Sequence, residues 1–412
     1  IDAAINLIIM SLEKKFNSLN TKNAPGQEHR QSFKDLSEIM VGKKLNGKLV
    51  DFSHGNVDAF EPIPESKKIW EQGYAKGAGQ AYTEYRGDLD TRKKVASRLS
   101  DFTNQIIDPE TELIITPGTQ GALFLAMGAT ISNETKVAIV EPDYFANRKL
   151  VKFFGGQIHP VKLNYQDGDI KNYLDYGFIE RIFMNGVKVF VLSNPNNPTG
   201  IIYSKACINK IGELAKKHDV TLIVDQLYSR MLYSNEKYTH LCSCDEKPKN
   251  MITIMGPSKT ESLSGFRLGV AFGSPKLIER MESLQAIVSL RASGYNQAVL
   301  NTWFHEPAGW ISNRITEHEE IRNDLLEIFR NGGLQTTCPQ GGSYLYPKLP
   351  PLSVGLENFV RLLRVQANVI VTPSIEFDRN CQNRIRLNFS QDKKEAVAAA
   401  KRIVLMTKIY SK

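Results

Sequence analysis

The sequence predicts an α/β protein: a large domain with a mostly parallel sheet between helices, and a smaller α+β domain beside it. Three observations predict it. The middle of the chain alternates short apolar runs with longer helical patterns, the signature of parallel strands joined by crossover helices. Several of those apolar runs end directly in a polar cluster, where open α/β sheets bind their ligands. After about residue 300 the alternation stops and a long charged helical pattern takes over.

Taken in order, the first apolar run, Ala3 to Met10, is interrupted by Asn6 and followed by Glu13, Lys14 and Lys15. It is too short for a membrane span and lacks the flank and cleavage site of a signal peptide. It reads as one side of an N-terminal helix or arm, and the opening Ile1 as a trimmed start. Strands are predicted over 113–116, 137–140, 187–192, 221–224, 251–255 and 268–272, with helices over 120–130, 145–154 and 204–217. Four of the strands run into Thr116-Pro-Gly-Thr, Ser193-Asn-Pro-Asn-Asn, Asp225-Gln-Leu-Tyr and Gly256-Pro-Ser-Lys, which therefore converge on one site. A helix over 311–330, the segment Gln340-Gly-Gly-Ser-Tyr-Leu-Tyr and a late strand over 384–389 follow. The expected division is a large domain over 55–300 and a small one from 1–54 with 301–412.

Composition bounds the partners. With 412 residues, 42% apolar and 23% charged, the chain can bury a sizeable core, and disorder is excluded as its main state. The net charge is +8, but no run of five or six basic residues occurs. The charge thus reads mostly as solvated surface, with a few cations engaged by an anionic cofactor and substrate, and neither nucleic acid nor a membrane is expected as a partner. The five cysteines are odd in number in a long chain, so no disulfide framework is expected and a cytoplasmic compartment is the default. Cys242-Ser-Cys244 has no second pair at metal-binding spacing and reads as a solvated loop, and no metal is expected.

The strand-end clusters carry chemistry that suits pyridoxal 5′-phosphate. That cofactor needs a lysine amine, an acid beside its pyridine nitrogen, donors to its phenolic oxygen, an aromatic plane, and cations and backbone N–H groups for its phosphate. Lys259 follows a strand in Met-Gly-Pro-Ser-Lys-Thr, and Arg267 stands eight residues on in Ser-Gly-Phe-Arg-Leu-Gly. With Ser193-Asn-Pro-Asn-Asn-Pro-Thr-Gly200 these motifs resemble the fold-type I pyridoxal-phosphate enzymes of the class I/II aminotransferase family, over nearly the whole chain.

The resemblance implies a Schiff base on Lys259 and phosphate binding by Arg267, by Ser258, and by Gly118, Thr119 and Gln120 at a helix start. It implies that Asn197 and Tyr228 donate to the phenolic oxygen, that Asp225 pairs with the ring nitrogen, and that Tyr144 stacks on the ring. By themselves Asp225 reads as a helix N-cap, and the Asn-Pro loop as a turn. Arg386, in Arg-Ile-Arg-Leu-Asn-Phe-Ser390, matches the arginine that grips the substrate carboxylate, with Arg384 two residues away on the same side of a strand. Asn197 and Gly55 are implied beside the substrate. Tyr82 resembles the tyrosine that reaches the neighbouring subunit's phosphate, which implies a homodimer with shared sites; packing at the interface without ligand contact is the alternative. Arg291 resembles the arginine that takes a second substrate carboxylate across the dimer, or is a surface arginine.

Departures cluster on the substrate side. Gly256 stands where the family commonly has a phosphate-binding Ser, for which Ser258 would compensate; Gln226 replaces a Glu. Thr372-Pro-Ser-Ile-Glu376 replaces a Pro-Gly turn, and His54 and Asn56 flank Gly55. The implied reaction is transamination between an amino acid and a 2-keto acid, with Lys259 moving the Cα proton and Asp225 and Tyr228 tuning the cofactor. A lyase, decarboxylase, cyclase or oxidase on the same scaffold is the alternative. A transcription regulator is not expected, because only about fifty residues precede Gly55.

Overall fold

A computed structural model describes residues 12–21, 25–26, 32–55, 59–77, 82–165, 173–233 and 236–412. The run Ala3 to Met10 and Asn56 lie outside the described residues. A two-residue strand β1 (Val50–Asp51) precedes the main sheet. That sheet holds β2 (Leu113–Pro117), β3 (Lys136–Glu141), β4 (Gln157–Lys162), β5 (Val189–Ser193), β6 (Thr221–Asp225), β7 (Met251–Met255) and β8 (Leu268–Gly273). Its order is β2-β8-β7-β6-β5-β3-β4. Neighbours are parallel from β7 through β6, β5 and β3 to β4, and β8 runs antiparallel to both β7 and β2.

The strands read as near-continuous apolar runs because both faces are covered. Side chains alternate between two cores: Val189, Val191, Ile223, Ile252 and Ile254 enter one, and Phe190, Leu192, Leu222, Val224 and Met255 the other. Helices Gly118–Thr130, Phe145–Phe153, Tyr176–Met184 and Lys205–Lys217 make the crossovers. Between β7 and β8 only the turn Ser264–Phe266 intervenes. This short link brings the chain back antiparallel to β7, so Lys259 leaves the sheet and Arg267 re-enters it at one end.

Strand β4, Gln-Ile-His-Pro-Val-Lys, was not expected from the sequence. It lies at the sheet edge, where Pro160 removes no ladder bond that a second neighbour would need. The expectation of a solvated Cys242-Ser-Cys244 loop is corrected. Both cysteines are buried in the core beside Leu241, where burial pushes the Cys242 thiol up to about 11.

A second core gathers Leu36, Val50, Phe52 and Phe60 with residues from Ile321 to Tyr410, and Tyr228, Met231 and Tyr233 reach into it from the loop after β6. Strands β9 (Tyr344–Leu345), β10 (Val369–Ile370), β11 (Thr372–Pro373) and β12 (Ile385–Asn388) pair as β1-β10 and as β11-β12-β9. Helices Trp310–Asn331, Leu356–Ala367 and Lys393–Tyr410 cover them. Among the described residues no helix is long and apolar enough to cross a membrane.

Candidate active site

The ends of β2, β5, β6 and β7 and the start of β8 open onto one cleft of about 250 Å³, whose far wall comes from β9 and β12. Of the residues singled out in the sequence, Thr119, Gln120, Tyr144, Asn197, Asp225, Tyr228, Ser258, Lys259, Arg267 and Arg386 line it.

Lys259 is partly buried, and desolvation of its amine, with the Arg386 and Arg267 charges, pulls it down to about 8. Asp225, on the end of β6, is partly buried, and among the described residues its carboxyl has one backbone partner: it accepts from the Leu227 N–H at 3.1 Å. Burial lifts its carboxyl to about 6. This cap contact satisfies one oxygen, so the simple N-cap reading covers only half of what Asp225 offers.

On the β2 side, the helix Gly118–Thr130 begins against Arg267. Gly118 has φ +79°, and a Cβ there would lie 2.5 Å from Nη2 of Arg267. Gly269 is equally constrained, since a Cβ would overlap the Gly118 carbonyl and the Thr119 nitrogen. Backbone amides and a guanidinium thus meet at a helix N-terminus, a ready anion cradle. Gly256 presses on the same turn: a Cβ would come within 2.8 Å of Thr119 Cγ2. A serine could not stand there without displacing Thr119. Ser258 does line the cleft, its hydroxyl 3.4 Å from the Leu268 carbonyl.

Tyr144 caps one wall and donates to Gln120 Oε1 at 3.0 Å. The loop after β5 is fixed from behind by Asp143, which the sequence reading overlooked. Its carboxylate accepts from the Ser193 N–H at 2.9 Å, from the Ser193 hydroxyl and from the Tyr144 N–H, and Ser193 Oγ in turn accepts from the Asn197 N–H at 3.1 Å. Tyr228 shares a 2.7 Å hydrogen bond with Tyr344.

Arg386 is 2% exposed and lies between the rings of Tyr344 and Phe377, at 4.7 and 4.8 Å. It donates to Asn197 Oδ1 at 3.3 Å, to Thr372 Oγ1 at 3.4 Å and to the Ser53 carbonyl. None of these acceptors is a carboxylate, and its Nε is buried with no partner. Tyr344, Ser53 and Phe377 escaped the sequence reading. Tyr344 is placed by the β9–β12 register, which pairs it with Asn388, and no local motif announces that.

Other residues lie elsewhere. Gly55 lines an adjoining cleft that also reaches Lys259. Arg384 does not share the site of Arg386: it stacks on Tyr165 and Tyr346 at 5.1 and 5.6 Å and lines a different cleft. It stands just before β12, and its guanidinium is held by the Tyr346 carbonyl at 2.9 Å. Gln226 is buried behind the site against Met255 and Tyr238. Tyr82 is 80% exposed, and the Arg291 guanidinium lies 4.4 Å from its ring centre and 4.9 Å from that of Tyr85.

These residues fit pyridoxal phosphate. A partly buried carboxylate without a cationic side-chain partner suits a protonated ring nitrogen, the glycine-bound cradle suits a phosphate, and the Lys259 amine lines the same cleft.

Comparison with known proteins agrees. The family profile of aminotransferase class I and II matches residues 47–403. A solved structure described as an aspartate aminotransferase from Rhodobacter sphaeroides is 51% identical, with a TM-score of 0.93 over 97% of this chain and 100% of that one. The aspartate aminotransferase of Sulfolobus acidocaldarius is 28% identical over 361 residues, covering 85% of this chain and 88% of its own. The aromatic-amino-acid aminotransferase 2 of Thermococcus litoralis is 24% identical over 357 residues, 84% of this chain and 90% of its own. The chain belongs to the class I and II aminotransferases, pyridoxal-phosphate enzymes that move an amino group from an amino acid to a 2-keto acid.

Proposed function

We propose that this aminotransferase works on a dicarboxylic amino acid of the aspartate type, at the cleft between Lys259, Asp225 and Arg386. The observation that carries the reading is the gathering of a depressed amine, a partly buried carboxylate and a carboxylate-free buried guanidinium on one cleft. The strong likeness to an aspartate aminotransferase supports the substrate class.

Bound pyridoxal phosphate would supply an aldehyde that condenses with amines and a ring that withdraws the electron pair left when a Cα–H bond breaks. Each surrounding residue then has a task. Lys259 anchors the cofactor and, once freed by the incoming amine, takes the proton from the substrate Cα. Its low pKa leaves the amine neutral above about pH 8, as a base must be. Arg386 holds the substrate α-carboxylate, and Asn197 and the Ser53 carbonyl keep its fork in place. Asp225 keeps a proton on the ring nitrogen, and Tyr228 and Asn197 donate to the phenolic oxygen. Gly118, Thr119, Gln120, Ser258 and Arg267 hold the phosphate, Tyr144 covers the ring, and Gly55 borders the substrate.

The active unit is proposed to be a cytoplasmic homodimer in which Tyr82 and Arg291 serve the partner's site. The exposed Tyr82, the adjoining exposed Ile287, Val288 and Leu290, and the buried, unpaired Nε of Arg291 support this. The boundaries near residues 55 and 300 are supported by a core drawn mainly from residues 321–410 with Leu36, Val50 and Phe52, to which Phe60, Tyr228, Met231 and Tyr233 add from the large domain.

The test is spectral. The yellow holoenzyme is mixed with single amino acids, and aspartate should replace the pyridoxal band with the pyridoxamine band. Sustained ammonia or carbon dioxide release without that replacement would refute the reading.

A further inference from the structure

Lys259 and Tyr228 sit on separate turns, after β7 and β6, and must face one cofactor together. Among the described residues no backbone hydrogen bond joins the 227–231 turn to the 257–263 turn. A buried ion pair does. Arg230, two residues past Tyr228, donates to Oε1 of Glu261, two residues past Lys259. Glu261 is 1% exposed, and the Arg230 side chain is buried as well.

The pair is built into its surroundings. The second nitrogen of Arg230 donates to Glu306, and its guanidinium lies 4.0 Å from the ring centre of Phe304. The far side of the Lys259 turn is held by Arg314, which donates to Ser262 Oγ at 2.7 Å and to the carbonyls of Thr260 and Glu61. The turn thus lies between two arginines from different parts of the chain, and among the described residues Arg230 carries the ion pair that connects it to the Tyr228 turn. None of these groups lines the cleft.

We propose that Arg230 is a positioning residue: through Glu261 it locks the Lys259 turn to the Tyr228 turn. Granted the roles assigned above to Lys259 and Tyr228, the link keeps the amine and the hydroxyl in register with each other. A buried ion pair is a costly way to join two turns, and its placement two residues from each functional side chain gives it a geometric use.

The experiment uses holoenzymes of the wild type, Arg230→Met, Arg230→Lys and Glu261→Gln. Misplacing the Lys259 amine by about an ångström should cut kcat on the order of 100-fold in Arg230→Met. The dissociation constant for a non-reacting dicarboxylate, which Arg386 holds, should stay unchanged. The pH midpoint of the bound cofactor's visible absorbance should rise by about one unit, because Tyr228 would no longer donate well to the phenolic oxygen. Arg230→Lys should recover part of both. Variants that keep the wild-type midpoint and kcat, or that change only KM, would overturn the proposal. If Arg230→Met fails to fold, Arg230→Lys and Glu261→Gln decide it on the same two readouts. Failure of the proposed function itself looks different, since the pyridoxal band of the wild type would then not give way to the pyridoxamine band with aspartate.

Discussion

Replacing Arg386 by Lys isolates what its planar fork does. The guanidinium is held by Asn197 and the Ser53 carbonyl and stacked between Tyr344 and Phe377, so its direction is set before substrate arrives. Lysine keeps the charge but presents a point donor. It can bond the Asn197 and Ser53 oxygens or reach a carboxylate bidentately, not both. The loss is then about one hydrogen bond to a charged group, roughly 1.5–3 kcal/mol. That corresponds to about a 10- to 150-fold weaker grip on the α-carboxylate. The assay compares half-reactions of an amino acid and of the amine that lacks the carboxylate, followed by the loss of the pyridoxal band. Arg386→Lys should slow the amino acid by that factor at low concentration and leave the amine unaffected. Equal slowing of both would refute the role of Arg386, as would no slowing of either.

Three further outcomes are expected. Cofactor uptake by the apoprotein should speed up as pH rises towards about 8, where the Lys259 amine becomes neutral, and then level off. Arg386→Gln should move that midpoint upward, because a positive charge that holds the amine down is gone; a midpoint that stays near the ordinary lysine range in the wild type would contradict the burial argument. Asp225 is raised from 3.8 to about 6, so its contribution to apoprotein stability is full below pH 3.8 and is lost as pH rises through 6. That loss is about 3 kcal/mol, and Asp225→Asn should remove this part of the pH dependence in urea melts of the apoprotein. Gly256→Ser should lower stability by about 1–3 kcal/mol through overpacking against Thr119. It should also weaken cofactor binding, whereas a serine that strengthened binding would show that the turn yields freely.

The sequence by itself determined the class of fold and marked most of the residues proposed to hold the cofactor. Apolar runs such as Val189-Phe-Val-Leu mark strands buried on both faces, and each hands the chain to a polar turn that must lie at one end of the sheet. Lys259, Asn197, Asp225 and Arg267 were legible because each stands within a few residues of a strand that fixes it. Edge strand β4 was not legible, since its Pro and half-exposed pattern resemble a loop until a neighbour is seen. Only the tertiary structure decided the rest. Arg384 and Arg386 share a sequence motif, yet the rings packed around each send them to different clefts. Tyr344 meets Tyr228, and Arg230 meets Glu261, across 116 and 31 residues. Such contacts follow from register and side-chain packing between distant segments, and no local pattern of residues carries that information.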